Sequence, residues 1–337
     1  MITVSNITKD FGSTRALDDL SFTVNNGVAF GLLGRNGAGK TTTIRIIMNI
    51  FQADKGEVLI NGISSKKSDL RIGYLPEERG LYPKRTIKEQ MIYIGKLRGM
   101  TRGQALYRAK ETLEELEAIE YLDRKLDSLS KGNQQKIQLA IALINDPDIV
   151  ILDEPFSGLD PVNAQLLKNI VRKEVDKGKT VIFSSHQMSQ VEEFCDDICL
   201  INKGRVVLDG KLDAIKRSYP RTNIFMEFAD LEGEYEDAKY VQLDNRIQLN
   251  LGLTKRNIVK DGKTVTIQLK TPEQRTELFN LLQDINMVPS KFNVIEPSLE
   301  DIFVEKVGGD MYESDVKDIE NEQKEKRGLF GKRKAAK

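Results

Sequence analysis

One short stretch, Gly34-Arg35-Asn36-Gly37-Ala38-Gly39-Lys40-Thr41, restricts what this chain can fold into more than any other feature. It fits the pattern G-x-x-x-x-G-K-S/T, and its glycines permit backbone conformations closed to other residues. The run before it, Val28 to Leu33, is nearly all apolar, as a strand covered on both faces must be, and Lys40 to Ile50 begins a helix. Strand, glycine loop and helix in that order gather backbone N–H groups at a helix start, where about half a positive charge accumulates. Such a loop takes phosphate. Lys40 is expected to reach the β- and γ-phosphates and the Thr41 hydroxyl to bind Mg²⁺, with Gly34, Arg35, Asn36, Gly37, Ala38, Gly39 and Thr42 completing a nucleoside-triphosphate cradle. A glycine turn with nothing bound is the plain alternative, and the strand-to-helix setting argues against it.

The chain has 337 residues, enough for one large domain and a smaller one. Lys+Arg and Asp+Glu are both 51, so no overall field favours polyanions, and nucleic acid is not an expected partner. Cys195 and Cys199 are the only cysteines, too few for a disulfide framework and unaccompanied by a second cluster of zinc-ligating residues. No run of about 18 apolar residues occurs, and Met1 to Asn6 lacks the basic and apolar regions of a leader peptide. A cytoplasmic protein is expected, held at a membrane only through a partner.

Short β-type runs, Ile2 to Ile7 and Leu20 to Val24, predict an antiparallel patch leading into the buried strand. From about residue 86 to 144 the chain reads as a helical insertion, with Gln104 to Glu117 its clearest segment. Strands at Ile149 to Leu152 and Thr180 to Ser184, joined by a helix from Asn163 to Asp176, make a βαβ unit and so a parallel sheet. After a hairpin from Ile198 to Asp209, turning at Lys203-Gly204, the charged stretch Lys211 to Pro220 reads as a domain boundary. The expected organisation is an α/β domain over 1–215 and a small α+β domain over 222–307. The latter has strands Asn223 to Phe228 and Thr264 to Leu269, a turn at Lys260-Asp261-Gly262-Lys263 and a helix from Pro272 to Ile285. The charged, apolar-poor tail 308–337 is expected to be disordered.

Strand Ile149 to Leu152 delivers Asp153 and Glu154 at its C-terminal end, where open α/β sheets bind ligands. Asp153 is expected to serve Mg²⁺, and Glu154 to orient or deprotonate the water that attacks the γ-phosphate. Asp153-Glu154-Pro155, Ser157-Gly158-Leu159-Asp160 and Ser184-Ser185-His186 follow in the order of the Walker B, D-loop and H-loop of ABC ATPases. Upstream, Leu129-Ser130-Lys131-Gly132-Asn133-Gln134-Gln135 resembles that family's signature sequence. The resemblance covers Met1 to about Gly210 and implies a P-loop NTPase of ABC type, with an antiparallel β subdomain and a helical insertion. It further implies that two nucleotide domains pair head-to-tail, each ATP lying between one subunit's Walker A loop and the other's signature.

On that resemblance Ser130, Gly132 and Asn133 would meet the partner's nucleotide, Asp160 belongs to the D-loop, and His186, the only histidine, would contact the γ-phosphate. Phe11 sits where the family places the aromatic that stacks on adenine. Ser130 also reads as a plain helix N-cap, and Phe11 as a turn or core residue. Two departures stand out. The signature carries Lys131 and Asn133 where the usual reading is Leu-Ser-Gly-Gly-Gln, and the Q-loop position in Gly73-Tyr74-Leu75-Pro76-Glu77 holds Glu77, a possible Mg²⁺ ligand that cannot donate as an amide does. Together with Arg79-Gly80-Leu81-Tyr82-Pro83 and Glu296-Pro297-Ser298-Leu299-Glu300-Asp301-Ile302-Phe303, they resemble a bacterial export branch that includes NatA-like and antibiotic-resistance ATPases. The resemblance implies an ATPase subunit at the cytoplasmic face of the membrane, partnered by a separate permease and by a second copy or a sister subunit. A soluble ABC ATPase acting on ribosomes or DNA is the rival, and the single P-loop and absence of sustained heptads weigh against it.

Overall fold

Alternating burial along the first two strands sets the N-terminal layer, as the β-type runs predict. In a computed structural model that describes residues 1–78, 80–228, 234–254, 258–261 and 263–307, β1 (Ile2–Phe11) pairs antiparallel with β2 (Thr14–Val24), from Ile2 opposite Val24 to Phe11 opposite Thr14. The next strand, β3 (Ala29–Leu33), is buried at every residue, and the glycine loop follows it into α1 (Lys40–Ile47). Strands β4 (Lys55–Ile60) and β5 (Ile63–Ser64) complete the first sheet in the order β2-β1-β4-β5. Ile2, Val4, Leu20 and Val24 point into one core with Phe30, Leu32, Ile44 and Ile47, which fastens this sheet to the strand and helix that carry the loop.

The second sheet is built from β6 (Ile72–Leu75), β7 (Ile149–Asp153), β8 (Thr180–Ser185), β9 (Asp197–Asn202) and β10 (Arg205–Lys211), with β3 among them. Its order is β10-β9-β3-β8-β7-β6, parallel except for β10 against β9. Because β3, β8 and β7 are neighbours running the same way, with Leu33 opposite Ser185 and Ser184 opposite Asp153, their C-terminal ends are level. The glycine loop, His186 and Glu154 therefore emerge side by side. Between β6 and β7 lie α2 (Ile87–Leu97), α3 (Arg102–Glu115) and α4 (Lys131–Leu143). The first two open on capping boxes, Thr86 with Glu89 and Thr101 with Gln104, each satisfying two backbone donors that a helix start leaves unpaired. Helix α5 (Pro161–Asp176) crosses from β7 to β8, and α6 (Met188–Phe194) follows β8.

The chain divides into two compact units, Met1–Leu212 and Asp213–Lys337. The second contains β11 (Asn223–Glu227), α8 (Glu234–Leu251), β12 (Ile258–Asp261), β13 (Thr264–Gln268), α9 (Gln274–Asp284), β14 (Lys291–Ile295) and α10 (Leu299–Val307). The order β12-β13-β11-β14, antiparallel throughout, is the split βαβ arrangement, β-α-β-β-α-β. Tyr240, Leu243, Ile247 and Leu251, three or four residues apart on α8, pack with Ile224, Met226, Val265 and Ile267 of the sheet and with Leu278 and Leu281 of α9.

The fold class expected from the sequence is the one observed. One local expectation changes: α8 occupies a segment for which no helix was expected. The stretch read as a boundary, Lys211 to Pro220, contains the division between the two units and is largely a helix, α7 (Leu212–Ser218). The tail 308–337, Arg79 of the Arg79–Pro83 motif and Gly262 of the expected turn lie outside the described residues.

Candidate functional site

Two glycines give the loop its path. Gly34 has φ 152° and Gly39, the N-cap of α1, has φ 111°. A Cβ at Gly34 would stand 2.3 Å from the backbone oxygen of Ile201 on β9, so only glycine fits. The loop then wraps the start of α1. Lys40 is 6% exposed; its ammonium donates to the Gly34 carbonyl at 2.7 Å and the Arg35 carbonyl at 3.3 Å, and lies 3.6 Å from Glu154 Oε1. A cavity of about 280 Å³ opens here, lined by Arg35, Asn36, Gly37, Gly39, Lys40, Thr41 and Thr42 together with Glu77, Glu154 and Ala16. Gly34 and Ala38 are not in that lining: Gly34 offers its carbonyl to Lys40, and Ala38 is buried in the core. Ala16, on β2, carries no sequence signal of its own and reaches the cavity only through the packing of the two sheets.

Asp153 and Glu154, adjacent in sequence, face different surroundings. Asp153 is fully buried; its Oδ1 accepts from the Ser184 hydroxyl across the β7–β8 ladder, while Oδ2 has no hydrogen-bond partner. An ionised oxygen left unpaired in a buried site costs several kcal/mol in general, which marks Oδ2 as a place for a cation or its water. Glu154 takes the left-handed φ of 50°, and its N–H is held by the Ser184 carbonyl at 3.2 Å and hydroxyl at 3.1 Å. That twist carries its carboxylate away from Asp153, so that Oε1 lies 2.9 Å from His186 Nδ1 and within reach of Lys40. Ser184 thus orders both acids; sequence reasoning placed it in a strand without this role, because the contact depends on strand pairing. The Tyr74 phenol, on β6, is pushed above its ordinary pKa by burial and by the nearby Asp153 charge.

The signature residues gather elsewhere on the same unit. Ser130 is exposed and caps α4, accepting from the Asn133 N–H at 3.3 Å, and Asn133 donates to the Tyr121 hydroxyl at 3.0 Å. Asp160 caps α5 through the Asn163 N–H at 3.0 Å, a bond that with the Asn163 amide keeps its carboxyl below the usual range. The two helix starts touch, since a Cβ on Gly132 would come 3.0 Å from Asn163 Nδ2. Gln135 donates to the Pro155 carbonyl at 3.0 Å, tying α4 to the turn that follows Glu154. None of Ser130, Gly132, Asn133 and Asp160 lines the phosphate-loop cavity of its own chain. Phe11 lies at the end of β1, 45% exposed and outside that lining, its ring meeting Phe51 edge-on at 5.5 Å.

Comparison with known proteins follows the same division. The ABC transporter family matches residues 17–157, and the C-terminal domain of DrrA1-3-like ATP-binding proteins matches residues 210–307. YhaQ of Bacillus subtilis, an uncharacterised ABC transporter ATP-binding protein, is 41% identical over 314 residues, spanning 91% of this chain and 99% of its own. The Nod factor export ATP-binding protein I of Paraburkholderia xenovorans is 31% identical over 309 residues, spanning 90% and 96%. Among solved structures, a dimeric ATP-binding cassette in a post-hydrolysis state with ADP and phosphate superposes with a TM-score of 0.57 at 28% identity, covering 63% of this chain and 99% of that one.

Proposed function

This chain belongs to the ATP-binding, ATP-hydrolysing proteins of ABC transporters, and from that premise we propose that it takes Mg·ATP in the cavity at Lys40 and closes on a second copy of itself or a sister subunit. Closure then drives a separate membrane permease in the direction of export. The observation that carries the reading is the placement of one carboxylate, Glu154, between Lys40 and His186 at the level ends of β3, β7 and β8. Lys40 leaves its carbonyl partners for phosphate oxygens. Glu154 accepts the proton of the attacking water, and its contact with His186 Nδ1 at 2.9 Å holds the carboxylate in the orientation for that transfer.

Mg²⁺ fits the residues present. Thr41 and Glu77 line the cavity, and the unpartnered Asp153 Oδ2 supplies a buried anionic oxygen. Among the described residues no cluster of three or more His, Cys, Asp or Glu side chains is placed to hold a metal alone, which suits an ion that arrives with the triphosphate. When bound, the ion neutralises charge on the phosphate oxygens.

Pairing is supported by the exposed cap at Ser130, with Lys131, Gly132 and Asn133 beside it, which presents helix-start N–H groups to something outside its own chain. For the permease, a cavity of about 410 Å³ is lined by Tyr82 and Arg85 from the segment before α2 and by Glu89, Gln90 and Tyr93 of α2, with Tyr82 and Tyr93 59% and 52% exposed. Amphipathic aromatic side chains around a groove suit a short helix of a membrane partner. No helix among the described residues is long and apolar enough to cross a membrane; the proposed location is the cytoplasmic face, held there by the permease. The export direction rests on the branch resemblance and on the export role in the name of the Nod factor protein. The C-terminal unit, among whose described residues no catalytic cluster is found, is assigned a regulatory or dimer-stabilising role.

Glu154→Gln is the test. It keeps the shape and removes the base, so ATP turnover falls by about two to four orders of magnitude while ATP binding persists and a dimer accumulates. A variant that elutes as a monomer with saturating ATP sinks the dimer mechanism.

A further inference from the structure

A nucleotide that spans this site needs its two ends held at a fixed separation, and the chain links them by a path away from the cavity. At the phosphate end α1 starts at Lys40. At its other end, in the last turn, Arg45 accepts through its carbonyl from the Ile50 and Phe51 N–H groups at 2.8 and 3.1 Å. The Arg45 guanidinium also stands over the Phe51 ring, 5.5 Å from its centroid. Phe51 then meets Phe11 edge-on, centroids 5.5 Å apart and planes at 68°. Three residues on, Asp54 fastens the same strand end twice, accepting from Lys9 Nζ at 2.8 Å and from the Asp10 N–H at 2.7 Å. Lys9 lies 5.5 Å from the Phe11 ring centroid.

This arrangement has a purpose that packing alone does not supply. Phe11 is nearly half exposed beside a turn whose Gly12 has φ 59°, a setting in which a ring is ordinarily free to change rotamer. A ring that must stack on a base gains affinity when it is already fixed, since freezing a side chain on binding costs free energy. We infer that Phe51 is a positioning residue for the base of the nucleotide: with Arg45 and Asp54 it holds Phe11 as a stacking wall at a set distance from the phosphate loop. The inference rests on the ATP reading above. It assigns base affinity to a segment, 45–54, that carries no recognisable motif.

The experiment separates base from phosphate. Binding of Mg·ATP and of Mg·tripolyphosphate to the full chain is measured by calorimetry for the parent, Phe51→Leu, Phe11→Ala and the double variant. Phe51→Leu lowers ATP affinity about five- to tenfold, a fraction of what a base–aromatic stack contributes, and leaves tripolyphosphate affinity unchanged. In the Phe11→Ala background the same substitution has no further effect on ATP, because Phe51 acts through Phe11. Equal losses for both ligands mean a general structural defect and overturn the inference, as does an unchanged ATP affinity or an undiminished effect in the double variant. A parent that binds neither ligand overturns the ATP reading itself, and the inference falls with it.

Discussion

Gly34 and Gly37 belong to one loop, yet different forces require them. At Gly34 a Cβ would run into the backbone oxygen of Ile201 at 2.3 Å, and neither strand can retreat from a parallel sheet. At Gly37, φ is 79° and a Cβ would meet nothing within 4 Å, because that side faces the cavity. Gly34→Ala is therefore expected to cost about 2–4 kcal/mol of stability, strain and overlap together, seen as a large fall in thermal midpoint without nucleotide. Gly37→Ala carries only the left-handed strain, about 1–2 kcal/mol, and its defect is in nucleotide affinity. Equal destabilisation by the two would contradict this division. The glycine pattern, Glu154 and His186 were legible in the sequence because each sits directly after a strand, and Lys40 because the glycine loop leads from a strand into the helix it begins, so that position along the chain fixes position in space. Ala16, Ser184 and Phe51 were not, because their contacts are made by segments tens of residues away.

Among elements, the end of α5 shows how buried charge fastens a crossover. Glu174 is buried, and both of its oxygens are taken, one by Lys177 at 2.7 Å and the other by Lys179, which also reaches Asp146 after α4. Burial pushes its pKa up, but the hydrogen bonds from Lys177 and Lys179 outweigh that and leave the carboxyl below its ordinary 4.5. A depressed folded-state pKa means stability that is present above the unfolded value and lost as pH falls through the folded one. Glu174→Gln should thus cost about 1–3 kcal/mol at neutral pH by urea titration, a gap that closes once the medium is acidified well below 4.5. A gap that persists unchanged in acid would mean packing, not charge, is responsible. Elements of this kind were readable to different depths. The βαβ unit around α5 was plain from two apolar runs and a helical spacer, whereas α8 hid because Tyr240, Leu243, Ile247 and Leu251 are interspersed with Asp, Asn, Gln and Arg. Lys211 to Pro220 was readable as a boundary but not as a helix, because charge is common to linkers and to short surface helices alike.

At the scale of the molecule, two apolar clusters among the described residues lie in separate stretches of chain: one draws on Ile2 to Ile201 and the other on Ile224 to Met287. The phosphate-loop cavity belongs to the first unit, so the free energy of nucleotide binding stabilises that unit in the first place. Saturating Mg·ATP at about a hundred times its Kd adds about 2.7 kcal/mol to whatever unfolds with the site. Leu243 is fully buried in the second core, and cutting it to alanine removes about 2–5 kcal/mol from that unit. In calorimetric scans of the full chain, Leu243→Ala is expected to lower one thermal transition and ATP to raise the other, with ATP affinity the same in parent and variant. The sign matters more than the size: a variant whose ATP affinity falls in step with its stability would show that the nucleotide site draws on the second core, and the assignment of catalysis to the first unit alone would fail.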